Sequence, residues 1–270
     1  MQKPYMIRIG STKGGVGKSV TAINLAVALQ EYGYKTLIID LDIVNPCVGL
    51  YLGMQDTNIG TLEVIGKQAD LKRAIVPHAP TGLHVLQGRI TYAGEENPDK
   101  DRITAFYQTL KGLEYDFIIV DTQPGEPFPE FPESVKYYDE AIVIALPDEA
   151  SCISAVKMFK KNGEEGVKTS LVVNKISNRR YELSIREIED MCENKVTGAL
   201  PEDENVKVGV AQHTPIYLLN RKSPFSVGID DIANTYSSRI YVTRRPAGDY
   251  VTGRGFMAMI RRIINAVRGG

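Results

Sequence analysis

One short segment limits what this chain can fold into. Lys13-Gly14-Gly15-Val16-Gly17-Lys18-Ser19 lies between an apolar run at Met6–Ile9 and a helical pattern over Ser19–Tyr32. Glycines at a strand-to-helix junction let backbone N–H groups turn inward, and the helix N-terminus adds partial positive charge. The segment reads as a phosphate-binding loop. Lys18 would reach the β- and γ-phosphates, Ser19 would hold Mg²⁺, and Gly14, Gly15, Val16, Gly17 and Val20 would complete the cradle.

The rest of the chain supplies the scaffold such a loop needs. Apolar runs recur at Thr36–Ile39, Phe117–Val120, Ala141–Ala145 and Ser170–Val173, with a further strand near Leu83–Leu86. Helical patterns intervene at Ile103–Leu113 and Ala150–Lys161. This alternation predicts an α/β fold: a doubly wound, mostly parallel sheet with flanking helices. Ligands of such sheets bind beyond the carboxyl ends of the strands. Cys47, Cys152 and Cys192 are far apart in sequence, which argues against a zinc site or a disulfide framework. Met1–Met6 shows no signal-peptide pattern, and no apolar stretch is long enough to span a bilayer. A cytoplasmic protein is expected.

Carboxylates follow the strands. Phe117-Ile-Ile-Val-Asp121 is an apolar run ending in an acid, the Walker B pattern, which places Asp121 on Mg²⁺. Gly125, four residues on, suits a switch that senses the γ-phosphate. Strand alternation points Asp40 and Asp42 the same way, near the loop.

Thr12 stands where the usual G-x-x-x-x-G-K-[ST] loop has its first glycine, and Lys13 follows it. In this the chain resembles the deviant Walker A ATPases of the MinD/ParA group, whose signature is KGG-x-G-K-[ST]. The resemblance covers roughly residues 5–240. It implies a P-loop NTPase fold of SIMIBI type, ATP and Mg²⁺ as ligands, ATP hydrolysis, and an ATP-dependent homodimer. It implies that Lys13 reaches across that dimer to the partner's nucleotide, as an arginine finger would. It also implies that Asp42 orients the attacking water near the metal, while Asp40 supports the Mg²⁺ shell or the loop. Val172-Val-Asn174-Lys175 resembles the family's adenine-contacting strand end, and Gly198-Ala-Leu-Pro201-Glu202-Asp203 resembles the segment packed beside the base.

The end of the chain differs in character. From Arg239 onward it carries seven arginines and one acid, Asp249, although the whole chain has a net charge of −1. Residues 1–240 read as the ATPase domain, 241–254 as a flexible basic linker, and 255–270 as an amphipathic helix. On a helical wheel Phe256, Met257, Met259, Ile260, Ile263, Ile264 and Val267 share one half, and Arg261, Arg262, Asn265 and Arg268 the other. Such a helix, Phe256–Arg268, suits an anionic membrane surface. MinD-like proteins end in a membrane-targeting helix of this kind. The leading expectation is therefore a MinD-like positioning ATPase, peripheral on the cytoplasmic face of the membrane, with an activator protein. A ParA-like partition ATPase that binds nucleic acid nonspecifically is the alternative. A metal-cluster carrier of the same superfamily is a third, and it would need paired cysteines such as Cys152 with its twin across a dimer.

Overall fold

The computed structural model describes residues 3–54, 57–67, 69–89, 98–125 and 132–243. Among these, eight strands form one sheet: β1 (Tyr5–Gly10), β2 (Thr36–Leu41), β3 (Val76–His78), β4 (Leu83–Leu86), β5 (Phe117–Thr122), β6 (Glu140–Ala145), β7 (Lys168–Ile176) and β8 (Val196–Pro201). Their order is β3-β4-β2-β5-β1-β6-β7-β8. Every pairing is parallel except the edge pair β3–β4. The expected doubly wound sheet is present.

Alternation along the central strands feeds two cores. Ile7, Ile9, Ile142 and Ile144 face the helices Lys18–Glu31 and Pro224–Thr243. Met6, Ile118 and Val120 face the opposite side, where helix Lys100–Leu110 packs. Val143 and Ala145 lie under helix Glu149–Glu164. The Lys18–Glu31 helix is buried from Thr21 through Leu29. A helix apolar on all sides is stable when sandwiched, here between the sheet and the last helix.

The chain leaves β1 toward β2 on one side and β6 toward β7 on the other. β1 and β6 are neighbours, so a crevice opens between their carboxyl ends, with a helix on each face. The phosphate loop sits at that crevice.

Helix ends differ from the sequence pattern where side chains cap them. The pattern Ile103–Leu113 becomes helix Lys100–Leu110, because the Asp99 carboxylate accepts the Arg102 N–H at 2.8 Å and starts the helix early. Asp148 likewise begins helix Glu149–Glu164. Helix Pro224–Thr243 continues past residue 240, so residues 241–243 are helical and not part of a linker. The remaining proposed linker, 244–254, and the proposed Phe256–Arg268 helix lie outside the described residues.

The last helix is fastened at its far end by one carboxylate. Glu140, at the start of β6, is fully buried. It accepts from Tyr5 Oη and Tyr236 Oη at 2.9 Å each and from Arg239 at 2.9 Å on both oxygens, and Ser170 Oγ also donates to it. Burial alone would raise its pKa. The Ser170 bond and the Arg239 charge overcome this and hold it below the ordinary 4.5. Glu140→Gln should cost about 2–4 kcal/mol of unfolding free energy. Because the folded pKa is the lower one, Glu140 stabilises fully above pH 4.5 and loses that contribution as pH falls through the folded value. Urea melts from pH 7 to 3 should show the gap between wild type and variant closing at the acid end.

Candidate nucleotide site

Beyond β1 the chain turns through Gly15 (φ +75°) and Gly17 (φ +93°), conformations open to glycine. At Gly17 a Cβ would stand 2.3 Å from Nδ2 of Asn174. Helix Lys18–Glu31 has no side-chain cap and no acid in its first turn, so its leading N–H groups are left for an anion. Asn174 Nδ2 donates to the Val16 carbonyl at 2.7 Å, and Lys175 Nζ to the Gly15 carbonyl at 2.8 Å. These bonds pin two loop acceptors to β7 and keep them from a bound phosphate. Lys18 is almost fully buried at the helix start.

Opposite the loop stand three buried carboxylates with different employment. Asp40 and Asp121 are directly paired across β2 and β5. Asp40 accepts the N–H groups of Asp42 (3.1 Å), Cys47 (2.9 Å) and Val48 (2.9 Å), fastening the loop after β2. Asp42 accepts from Val44 (3.2 Å) and Asn45 (2.8 Å) and so shapes the same loop. Asp121 is fully buried, and among the described residues neither of its oxygens has a hydrogen-bond partner. Burial, then the Asp40 charge, drives its pKa well above the ordinary carboxylate value. A cation beside it would offset that burial and charge. A divalent metal fits: Ser19 and Asp121 offer hard oxygens, and Mg²⁺ takes one or two protein ligands together with phosphate oxygens and water. Among the described residues no cluster of three His, Cys, Asp or Glu could hold a metal by itself. The Cys47 thiol lies against the Ser19 hydroxyl, and burial pushes its pKa up to about 12, so it is a neutral neighbour.

The phosphate loop, the loop after β2 and the end of β7 line a cavity of about 610 Å³. Gly14, Lys18, Ser19 and Asp42 line its phosphate end, and Val206 and Val210 its apolar end. Asn174 and Glu202 also line it, whereas Pro201 is not among the lining residues. Tyr51 and Lys207, which the sequence reading did not single out, are. Lys13 lies beside this cavity. Within one chain its ammonium pairs with Asp148 at 3.4 Å, both side chains being roughly half exposed. Asp148 caps helix Glu149–Glu164 by accepting Ser151 N–H and Oγ at 2.9 Å each.

The chain fits the nucleotide-binding-domain family of CobQ, CobB, MinD and ParA over residues 7–216. It belongs to that family. An uncharacterised ATP-binding protein of Methanocaldococcus jannaschii is 31% identical over 224 residues, covering 82% of this chain and 83% of the relative. The septum site-determining protein MinD of Synechocystis is 26% identical over 274 residues, 97% of each chain. Among solved structures, Pyrococcus horikoshii MinD complexed with Mg-ADP superposes with a TM-score of 0.81 at 24% identity, over 90% of this chain and all of that one. This MinD/ParA-type domain therefore has the P-loop fold that its loop segment indicated.

The cysteines also bear on the family's branches. Cys152 is fully buried, and the Cys192 thiol points at its carbonyl from 3.9 Å. It is core packing, and it offers no surface sulfur to a twin across a dimer. Gly17→Ala should abolish nucleotide binding, since the added methyl must displace Asn174 and the backbone must leave φ +93°. Titration with a fluorescent ATP analogue checks this, and an unchanged far-UV circular dichroism spectrum would show that the fold survives.

Proposed function

We propose that this member of the MinD/ParA family is an Mg²⁺-dependent ATPase that dimerises with ATP and uses that state to control peripheral membrane attachment. The orphaned Asp121 carboxylate beside Lys18 and Ser19 carries the ATPase part of the reading. Fully buried and without a partner, it calls for the cation that accompanies a nucleoside triphosphate. Ser19 and Asp121 would hold Mg²⁺, which would supply positive charge to offset that of the phosphates.

The chain's own residues do the rest. The loop N–H groups and Lys18 bind and orient the phosphates. Asp42, at the cavity edge, orients the attacking water, and the walls of the cavity limit access of bulk solvent. Asn174 steadies the phosphate loop, and as a lining residue its amide is assigned to adenine, with Val206, Val210 and Glu202 assigned to the base as fellow lining residues. Lys13 is the cation supplied to the partner's nucleotide. Its pair with Asp148 is a partly exposed ion pair, worth little in water, so giving it up for a phosphate costs little.

The membrane part rests on the basic apolar–arginine pattern of Phe256–Arg268. One short anchor binds weakly. Two held by a dimer bind as a unit, with an avidity gain on the order of 10²–10⁴. The positions this protein would mark are those of division or related machinery on the cytoplasmic face, with an activator speeding its turnover.

Lys18→Ala should reduce ATP turnover to background in a phosphate-release assay, and wild-type turnover in that variant would sink the site. Sedimentation with anionic vesicles tests the attachment. ATP, but not ADP, should carry the full chain into the pellet, and truncation after Gly253 should end this. ATP-dependent retention on DNA without vesicle binding would move the protein to partition-type work.

A further inference from the structure

Arg8 takes no part in the reading above, and its surroundings give it one. It lies in β1, at the centre of the sheet, and is fully buried. Ile7 and Ile9 point to the face covered by helix Lys18–Glu31, so Arg8 points to the other face. A guanidinium shut away from water is tolerated when its donors are spent on the protein. Nε of Arg8 donates to Thr122 Oγ1 at 3.5 Å, and Nη2 donates to the carbonyl of Gly125. Both acceptors belong to the segment Asp121–Gly125 that leaves β5. The backbone of β1 makes room for the arginine: a Cβ on Gly10 would lie 3.3 Å from Nε of Arg8 and 2.9 Å from Cε of Met158.

Gly125 is thus held on both sides. Its carbonyl is gripped by Arg8, and its N–H donates to the Ser11 carbonyl at 2.7 Å. Ser11 Oγ in turn donates to the Lys13 carbonyl at 2.6 Å, so the grip continues into the phosphate loop. The preceding Pro124 lines the nucleotide cavity. Gly125 has φ +85°, and no described residue lies within 4 Å of where a Cβ would be.

We propose that Arg8 is a positioning residue for γ-phosphate recognition, fixing one side of Gly125 so that the other side can turn its N–H from Ser11 to a γ-phosphate oxygen. The inference rests on the nucleotide site proposed above. Arg8 sits in a central strand whose backbone is paired on both sides, by β5 and by β6, and that pairing anchors it. Rotation is then confined to the single Pro124–Gly125 peptide, whose N–H is the one now given to Ser11. Without the arginine, the whole segment after β5 must be ordered when the γ-phosphate binds, and that ordering weakens ATP binding. ADP has no γ-phosphate and is indifferent to it.

The test compares affinities of a non-hydrolysable ATP analogue and of ADP for wild type, Arg8→Met and Arg8→Lys by calorimetry with Mg²⁺. Arg8→Met should lose about tenfold in affinity for the ATP analogue, as for one charge-assisted hydrogen bond, with ADP affinity changed less than about twofold. Arg8→Lys keeps the charge but not the fork, and should show the same selective loss to a smaller degree. If Arg8→Met does not fold, Arg8→Lys carries the comparison. Equal losses for both nucleotides, or none for either, would overturn the proposal. A wild-type chain that bound neither nucleotide would overturn the nucleotide site itself and this inference with it.

Discussion

The carboxyl end of the sheet is organised around a carboxyl group whose ionised form the surrounding protein disfavours. Asp121 is sealed from water, and neither oxygen has a hydrogen-bond partner among the described residues. Such a group is expensive in an apolar interior. The neighbouring Asp40 makes matters worse, being paired with it across the strands. Asp40 is itself satisfied by three backbone N–H groups, and Asp42 by two. The satisfied carboxylates build the loop, and the unsatisfied one is the group to which the proposed function assigns a cation.

Much of this was legible in the sequence because it is local. The phosphate loop, its helix and the strand ending in Asp121 each occupy one unbroken stretch. Their chemistry follows from residue order and from the strand-to-helix junction. Lys13 too is visible by its position in the loop. What stayed hidden depends on residues distant in the chain. The grips of Asn174 and Lys175 on loop carbonyls, the pairing of Lys13 with Asp148, and the Arg8 contacts with Thr122 and Gly125 join residues more than 110 positions apart. No spacing rule announces them. Arg8 is the sharpest case, since a charged residue in an apolar run looks like an interruption until its acceptors are known.

Two secondary elements were hidden for another reason. β8 reads Val-Thr-Gly-Ala-Leu-Pro, and its pairing with β7 is interrupted by register shifts. Its period is broken, so it does not show as a strand. Helix Pro224–Thr243 is rich in Ser, Thr, Asn, Asp and Tyr, residues with little intrinsic taste for helix. Packing forms it: Phe225, Ile229, Ile232, Ala233 and Tyr236 bury against the Lys18–Glu31 helix and the sheet. Its hydroxyls and carboxylates bind across, as Tyr217 and Tyr32 do to Asp230 at 2.7 and 2.8 Å.

That same helix fixes the polarity of the molecule. It starts beside Asp203, just past the carboxyl end of β8, and by Tyr236 and Arg239 it has reached Glu140 at the opposite end. The chain therefore leaves the described fold on the far side from the nucleotide cavity. One helix thus joins the front of the sheet to its back, with the nucleotide cavity at one end and the buried Glu140 cluster at the other.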